Sequence, residues 1–190
     1  MSAPAQRPNV VAVIGSPRRR GNTVALVDAA VEELERSGCD CARITLSALH
    51  INGCDGHENC GERAACPHDD DMPGVLEQVY GADGLILASP VYYENVSGQM
   101  KTFIDRNATR YYHDVWLSPK VVGLIAVAAE SGLDDTLAAL RRFVTLSNPE
   151  ELPVVSLAAC ADKPGEAAEN AELTEEARAL GRAMAEKLGV

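Results

Sequence analysis

The chain has 190 residues, a length typical of one domain that buries most of its apolar surface without disulfides or a structural metal. Its 17 basic and 28 acidic side chains give a net charge of −11, which argues against nucleic acids and anionic membranes as partners. The sequence shows no apolar run long enough for a membrane helix and no signal peptide over residues 1–9, and its six cysteines suit reduced thiols or metal ligands. We therefore expect a single cytoplasmic domain over residues 1–190.

Apolar patterns predict strands and helices that alternate along the chain. Continuous apolar runs indicate strands, and apolar residues at helical spacing indicate the helices between them. The predicted strands cover 10–14, 41–46, 84–88, 121–128 and 152–157. The predicted helices cover 24–36, 72–80, 97–107, 133–146 and 173–188. This alternation is typical of α/β proteins, so we predict a three-layer sandwich with a five-stranded parallel sheet and helices on both faces.

The first predicted strand runs directly into the loop 15–23, with the sequence GSPRRRGNT, and a helical pattern follows at once. Unpaired N–H groups and the positive end of the helix dipole favour an anion at such a helix start. Ser16, Asn22 and Thr23 add side-chain donors, and the arginines at 18–20 add positive charge. The loop matches neither the nucleoside-triphosphatase motif nor the classical dinucleotide motif. It predicts a site for one terminal phosphate, although an ordinary helix cap is the alternative.

Two later strand ends carry residues suited to a planar ligand. The segment 89–98 contains two tyrosines and an asparagine, and the segment 128–132 is made mostly of small residues that let a ligand approach the backbone. Ligands of parallel α/β sheets bind beyond the carboxyl ends of the strands. A phosphate loop, an aromatic loop and a small-residue loop together predict a pocket for an aromatic ring with a phosphate tail.

Four segments resemble the NAD(P)H-dependent FMN reductase and iron–sulfur flavoprotein family: GSPR with GNT at 15–23, SPVY at 89–92, and SGQMKTFIDR at 97–106. The resemblance implies a flavodoxin-like fold and bound FMN. By this resemblance the FMN phosphate would be held by Ser16, Arg18, Gly21, Asn22 and Thr23. The isoalloxazine ring would be bordered by Pro90, Val91, Tyr92, Tyr93 and Asn95, and closed at its other edge by Glu130, Ser131 and Gly132.

Other aromatic and helical residues leave alternatives open. Tyr92 and Tyr93 could serve only in loop packing, and the helix over 99–106 is predicted to be structural, with Lys101 and Asp105 as a stabilising pair. The cluster of Tyr111, Tyr112, His113 and Trp116, called the aromatic cluster below, could form an interface, a substrate platform over the flavin or part of the core. The resemblance also implies a homodimer or homotetramer.

A long excursion at about 51–71 carries the spacing C-x2-H-x2-C-x5-C, formed by Cys54, His57, Cys60 and Cys66. By the resemblance, four cysteines at this compact spacing bind a [4Fe–4S] cluster, and this chain has three of them with His57 at the second position. Histidine is known as an iron–sulfur ligand, and three cysteines with one histidine also form a common zinc site. A cluster, zinc and no metal therefore all stay open. The other three cysteines, Cys39, Cys41 and Cys160, are predicted to be small buried apolar residues.

The function implied is that of an FMN-dependent oxidoreductase, which passes electrons from NAD(P)H through FMN to a small acceptor such as a quinone or flavin. With a cluster, a ferredoxin-like donor would supply single electrons instead. A flavodoxin-type electron carrier and a metal-binding or redox-sensing module are further alternatives. Because the flavin carries the chemistry, no side chain is predicted to act as a catalytic acid or base.

Overall fold

In the computed structural model, which describes residues 6–190, the core is a parallel β-sheet with one short antiparallel extension. The predicted domain includes residues 1–5, which lie outside the described part of the chain. The strands are β1 (Asn9–Ile14), β2 (Asp40–Thr45), β3 (Gly84–Tyr92), β4 (Asn95–Val96), β5 (Val121–Ala128) and β6 (Val154–Cys160). The five long strands pair in parallel in the order β2-β1-β3-β5-β6, and β4 pairs antiparallel with β3. The predicted five-stranded parallel sheet is confirmed.

Helices cover both faces of this sheet, as the sequence predicted. They are α1 (Asn22–Arg36), α2 (Met72–Tyr80), α3 (Gly98–Asp105), α4 (Ala108–Tyr112), α5 (Leu133–Leu146), α6 (Glu166–Glu169) and α7 (Ala171–Leu188). One apolar core forms between the sheet and the pair α1 and α7, and a second forms between the sheet and α2, α3 and α5. No helix within residues 6–190 combines the length and the apolar character needed to cross a membrane.

Two strands continue several residues beyond their predicted ends. Strand β3 continues four residues beyond 88 because it stays paired with β5 as far as Pro90 and then with β4. Strand β6 ends at 160 rather than 157, since small residues that carry no strand pattern remain in register with β5. Because β6 lies at the sheet edge, Cys160 is exposed, and the prediction that it is buried was wrong. Cys39 is buried and Cys41 is half-buried.

The crossing of α7 over α1 depends on a glycine. A Cβ atom at Gly181 would lie 2.5 Å from the carbonyl oxygen of Ala30, a backbone atom that cannot move without its helix. We expect Gly181→Ala to lower the free energy of unfolding by about 1–3 kcal/mol, as overpacking does elsewhere. Urea denaturation measures this.

Gly74 in α2 supplies the matched control, because nothing lies within 4 Å of a Cβ atom at that position. Gly74→Ala should leave stability unchanged or raise it by up to about 1 kcal/mol through helix propensity. Equal effects of the two substitutions would contradict the close packing of α1 and α7.

Candidate functional site

The end of β1 lies close to the start of α3. The Gly15 N–H donates to the carbonyl oxygen of Ala88 at 2.8 Å, and the Ser97 hydroxyl donates to the carbonyl oxygen of Gly15 at 2.6 Å. A Cβ atom at Gly15 would lie 2.8 Å from the Cβ atom of Met100, so no side chain fits there. The loop after β1 therefore leaves the sheet at a fixed position beside the amino end of α3.

This loop leads into a helix start that has no capping side chain. Gly21 is the N-cap residue of α1, and its carbonyl oxygen accepts the N–H of Ala25 at 3.1 Å, so the N–H groups of residues 22–24 precede the helix hydrogen bonds. Ser16 and Thr23 are buried beside this turn, while Arg18 is exposed at its rim. Uncapped N–H groups beside hydroxyls and an arginine suit a phosphate.

The side chain of Asn22 is already used within the fold. Its Nδ2 atom donates to the carbonyl oxygens of Ala161 and Lys163 at 3.1 and 2.9 Å, and its Oδ1 atom accepts the N–H of Ala167 at 3.2 Å. These bonds tie the start of α1 to the loop between β6 and α6. In this arrangement Asn22 offers an anion its backbone N–H and not its side chain.

A tight hairpin follows β3. Tyr92 and Asn95 pair across it, and the two loop residues, Tyr93 and Glu94, have φ angles of 50° and 58° in the left-handed region. Non-glycine residues there cost of order 1–3 kcal/mol each and are frequent at ligand sites. Tyr93 is fully exposed and Tyr92 is 40% exposed, so both rings face outward. The Asn95 side chain accepts the N–H of Val96 at 2.8 Å.

A buried serine that was not among the predicted site residues holds the base of the hairpin. The Ser89 hydroxyl donates to the carbonyl oxygen of Pro90 at 2.8 Å and accepts the N–H of Ser97 at 2.9 Å. Pro90 and Val91 are half-buried above it. This bond fixes the distance between the end of β3 and the start of α3.

The loop after β5 packs directly against the hairpin. The Ser131 hydroxyl donates to Oε1 of Glu94 at 2.7 Å, and Gly132 has a φ of 82°. A Cβ atom at Gly132 would lie 2.6 Å from Cγ1 of Val91 and 2.8 Å from the Cα atom of Glu94. Glu94 is thus a site residue that was not predicted from the sequence, because it belongs to no motif that indicates such a role. Glu130 is exposed beside this contact.

The three loops therefore meet at the carboxyl ends of the parallel strands. They follow β1, β3 and β5, which are adjacent parallel strands, so their carboxyl ends lie side by side. The chain winds outward from β1 in both directions, to β2 on one side and to β3 on the other, which makes β1/β3 the topological switch point where ligands of open α/β sheets bind. The structure brings together the residues predicted at 16–23, 90–95 and 130–132.

A family model described as NADPH-dependent FMN reductase matches residues 8–180 of the chain. The chain belongs to the NADPH-dependent FMN reductase family. Relatives of this reductase family member include an iron-sulfur flavoprotein of Archaeoglobus fulgidus, 43% identical over 128 residues. That alignment covers 67% of this chain and 58% of the relative, so the chain spans little more than half of that protein's length. An iron-sulfur flavoprotein of Methanocaldococcus jannaschii is 36% identical over 136 residues, which cover 70% of each chain.

Solved structures show which fold this family member shares. An NAD(P)H:quinone oxidoreductase from Methanothermobacter marburgensis superposes with a TM-score of 0.72 at 17% identity, covering 94% of this chain and 98% of that chain. A flavodoxin from the domain Archaea superposes with a TM-score of 0.64 at 15% identity, covering 96% of this chain and 99% of that chain. The flavodoxin-like fold is confirmed.

The cysteine excursion of this reductase family member folds around one small cavity. Cys54, His57, Cys60 and Cys66 all line it, together with His68. Nevertheless, no group of three or more His, Cys, Asp or Glu side chains within residues 6–190 is arranged to hold a metal ion. The four predicted ligands line the same cavity, but their donor atoms do not form a coordination shell in this arrangement.

Several of these donor atoms are already engaged in contacts within the excursion. The Cys60 thiol donates to the carbonyl oxygen of His57 at 3.2 Å, and Cys54 Sγ accepts the N–H of Gly56 at 3.4 Å. The Nε2 atom of His68 lies 3.3 Å from Oδ2 of Asp55. Thiols and imidazoles suit iron–sulfur clusters and zinc by their chemistry, but the arrangement described here does not fit either group.

A buried ion pair anchors the excursion to α3. Arg106, just after α3, has a side chain that is 2% exposed, and it bonds Asp70, whose side chain is 0% exposed, at 2.5 and 3.1 Å. Arg106 also donates to the carbonyl oxygen of Asn52 at 2.8 Å. Burial alone would raise the pKa of Asp70, but hydrogen bonds from Arg106 and from the N–H groups of Asn52 and Met72 hold that pKa well below its usual range. By contrast, the predicted pair of Lys101 and Asp105 on α3 is exposed.

The aromatic cluster lies on the surface beyond α3. Tyr111 and Tyr112 are 53% and 57% exposed, and Trp116 meets the Tyr111 ring edge-on, with 6.1 Å between the ring centres. Exposed fractions of this size rule out the core as the place of both tyrosines. An interface and a substrate platform stay open.

Proposed function

We propose that this chain is an FMN-dependent oxidoreductase that takes electrons from NAD(P)H and delivers them through FMN to a small acceptor such as a quinone or a flavin. The observation that carries the proposal is the meeting of three loops at the switch point, one of them with an uncapped helix start. Membership of the FMN reductase family supports FMN as the group that binds there. The solved quinone oxidoreductase of the same fold makes quinones the acceptors to test first.

The proposed roles divide the site into two parts. The phosphate would bind the N–H groups of residues 21–24 and the side chains of Ser16, Arg18 and Thr23. The ring would lie against Pro90, Val91 and Tyr92, with Tyr93 and Asn95 on the hairpin and residues 130–132 at the other edge. Glu94 has a positioning role, because it holds the hairpin to Ser131.

Bound FMN would supply the redox chemistry of its ring, so the protein has to bind and orient it. The hairpin and the loop after β5 share a hydrogen bond and a tight backbone contact, and this rigidity would fix the ring plane. Backbone N–H groups at the loops would then determine the electrostatic environment of the ring. No side chain of the three loops is assigned as a proton donor.

Anaerobic mixing with NADH or NADPH tests the proposed function. We expect the flavin absorbance to bleach within the mixing experiment and turnover to follow when a quinone or free flavin is added. An electron carrier would instead be reduced in two one-electron steps and would oxidise little NAD(P)H. Bound FMN that neither nicotinamide reduces would contradict the proposal.

Arg18 is the side chain with the largest proposed charge effect on the phosphate. We expect Arg18→Gln to weaken FMN binding roughly tenfold, since a charge-assisted hydrogen bond contributes about 1.5–3 kcal/mol. Fluorescence titration with FMN measures the change, and the loss should shrink at high salt. Arg36→Gln at the opposite end of α1 is the control and should leave the FMN affinity unchanged. Equal losses in both variants would contradict a local phosphate contact.

A second candidate function is that of an iron–sulfur flavoprotein fed by a ferredoxin-like donor. It is favoured by the names of the Archaeoglobus and Methanocaldococcus relatives. The three thiols line one cavity, but the loop bonds of Cys54 and Cys60 would have to open before they could hold a cluster together. Iron, sulfide and zinc analysis of anaerobically purified protein tests it. Four iron and four sulfide per chain, lost in Cys60→Ala, would support it, and background iron would exclude it.

We further propose that the protein is a homodimer or homotetramer that uses the aromatic cluster as its interface. The exposure of Tyr111 and Tyr112 supports this assignment. Light scattering after size-exclusion chromatography should give a dimer or tetramer mass, and Tyr112→Glu should shift it towards the monomer. A monomeric wild-type protein would contradict the assignment.

A further inference from the structure

A second cavity lies beside the cysteine excursion, and none of its lining residues belongs to the three flavin loops. It has a volume of about 310 Å³ and is bounded by the start of α2, the helix α4 and residues 64–66. Cavities of roughly 300 Å³ and more are of the size that small ligands occupy. Its walls include Met72, Pro73 and Leu76, so most of the lining is apolar.

The charged residues of this cavity are arginines, although the chain carries a net charge of −11. Arg106, Arg110 and His113 line it, and no aspartate or glutamate is among the lining residues. The charge of Arg106 is balanced by Asp70. The guanidinium of Arg110 lies 5.2 Å from the centre of the Tyr80 ring and remains available at the cavity wall.

The cavity wall includes the buried guanidinium of Arg106, whose side chain is 2% exposed. Its Nε atom has no partner of good hydrogen-bond geometry, and the Cys66 side chain is a hydrogen-bonding neighbour of the same guanidinium. Arg110 is therefore the arginine of this wall that is left to bind a ligand, and an apolar cavity with one such arginine suits a ligand with an apolar body and one anionic group.

We propose that this cavity binds a small organic monoanion with an apolar body, such as an aromatic carboxylate. Its carboxylate would lie at Arg110 and at the ring nitrogen of His113 that does not bond the carbonyl oxygen of Arg63. Its apolar part would lie against Met72 and Leu76. The site does not depend on the proposed flavin chemistry. Since Cys66 and Arg106 line both this cavity and the cavity of the cysteine excursion, a bound ligand would lie directly beside Cys54, His57 and Cys60.

Benzoate and its neutral analogue benzamide are the probes for the test, with the FMN-loaded protein in saturation-transfer NMR and calorimetry. We expect benzoate to bind at one site per chain and benzamide to bind about tenfold more weakly, because a charge-assisted hydrogen bond would be lost. Arg110→Gln should weaken benzoate binding by a similar factor. Ala65→Phe should abolish it, because Ala65 is an exposed wall residue whose enlargement fills the cavity.

Two controls match these variants. Arg142→Gln and Ala138→Phe replace exposed residues of α5 that do not line the cavity, so both should bind benzoate like the wild type. Retained FMN in all four variants reports that they are folded. Absence of benzoate binding, equal binding of benzamide, or binding unchanged in Arg110→Gln or Ala65→Phe would each overturn the proposal.

Discussion

Gly132→Ala is expected to weaken FMN binding by about two orders of magnitude or more. The added Cβ atom would meet Val91 at 2.6 Å and the Cα atom of Glu94 at 2.8 Å, so the whole hairpin must move away from the loop after β5. Alanine also fits poorly at the φ of 82° that Gly132 adopts. A displacement of about 1 Å at a ligand site is enough for an effect of this size. Fluorescence titration with FMN measures it.

Gly165→Ala separates the effect of the left-handed φ from the effect of the contact with the hairpin. Gly165 has a φ of 85°, almost the same as Gly132, but nothing lies within 4 Å of a Cβ atom at that position. The control variant should therefore show only the stability cost of a left-handed alanine, about 1 kcal/mol, and should keep its FMN affinity. Equal loss of FMN in the two variants would show that the contact with the hairpin is not what matters.

Arg106→Met is expected to lower the free energy of unfolding by about 3–5 kcal/mol. Removing one partner of a buried ion pair leaves the other charge uncompensated, and here the charge left behind is the fully buried carboxylate of Asp70. The excursion at 51–71 also loses the bond from Arg106 to Asn52. Urea denaturation measures the global loss, and hydrogen exchange over residues 51–71 reports whether the excursion opens first.

Lys101→Met is the matched control on the same helix. Lys101 and Asp105 form an exposed pair, which contributes a few tenths of a kcal/mol at most. A loss of similar size in the two variants would contradict the anchoring role of the buried pair.

The difference in stability between the wild type and Arg106→Met should depend on pH in a definite direction. The pKa of Asp70 is lower in the folded protein than in the unfolded chain, where it is about 3.9. The ion pair therefore stabilises the fold fully above that unfolded value, and this contribution is lost as the pH falls towards the folded pKa. In Arg106→Met the unpaired carboxylate is relieved by protonation instead. We expect the difference in stability between wild type and variant to shrink as the pH is lowered from about 6 to about 3.

Local patterns predicted the sheet well, and they predicted the turn from β1 into α1 at residues 15–23. Strand β1, the loop at 15–23 and α1 follow one another directly, so a continuous apolar run and a helix start were enough to identify them. The hairpin was missed because Tyr93 and Glu94 adopt left-handed φ angles without the Asn-Gly or Gly signals that predict such turns. Its conformation depends on Gly132 and Ser131, which are nearly forty residues away.

Contacts between distant segments explain the other differences between the predicted and the observed site residues. The Asn22 side chain forms its hydrogen bonds with residues 161–167, and Arg106 pairs with Asp70, which is 36 residues earlier in the sequence. Neither contact produces a pattern within a short stretch of sequence. The spacing of Cys54, His57, Cys60 and Cys66 predicted that they share one place, but the directions of their donor atoms depend on loop bonds such as that from Cys60 to His57. Residue types therefore indicated the candidate chemistry, while the fold determines which donors are free.

The most direct test of the flavin site compares FMN with riboflavin, which has the same ring and lacks the phosphate. Both are titrated into flavin-free protein, and binding is measured by the loss of flavin fluorescence. We expect one FMN per chain and a Kd for riboflavin that is about 100-fold higher or more, because the uncapped start of α1 and Arg18 would each lose a charge-assisted hydrogen bond. Riboflavin that binds as tightly as FMN would contradict the assignment of the loop at 15–23 as the phosphate site.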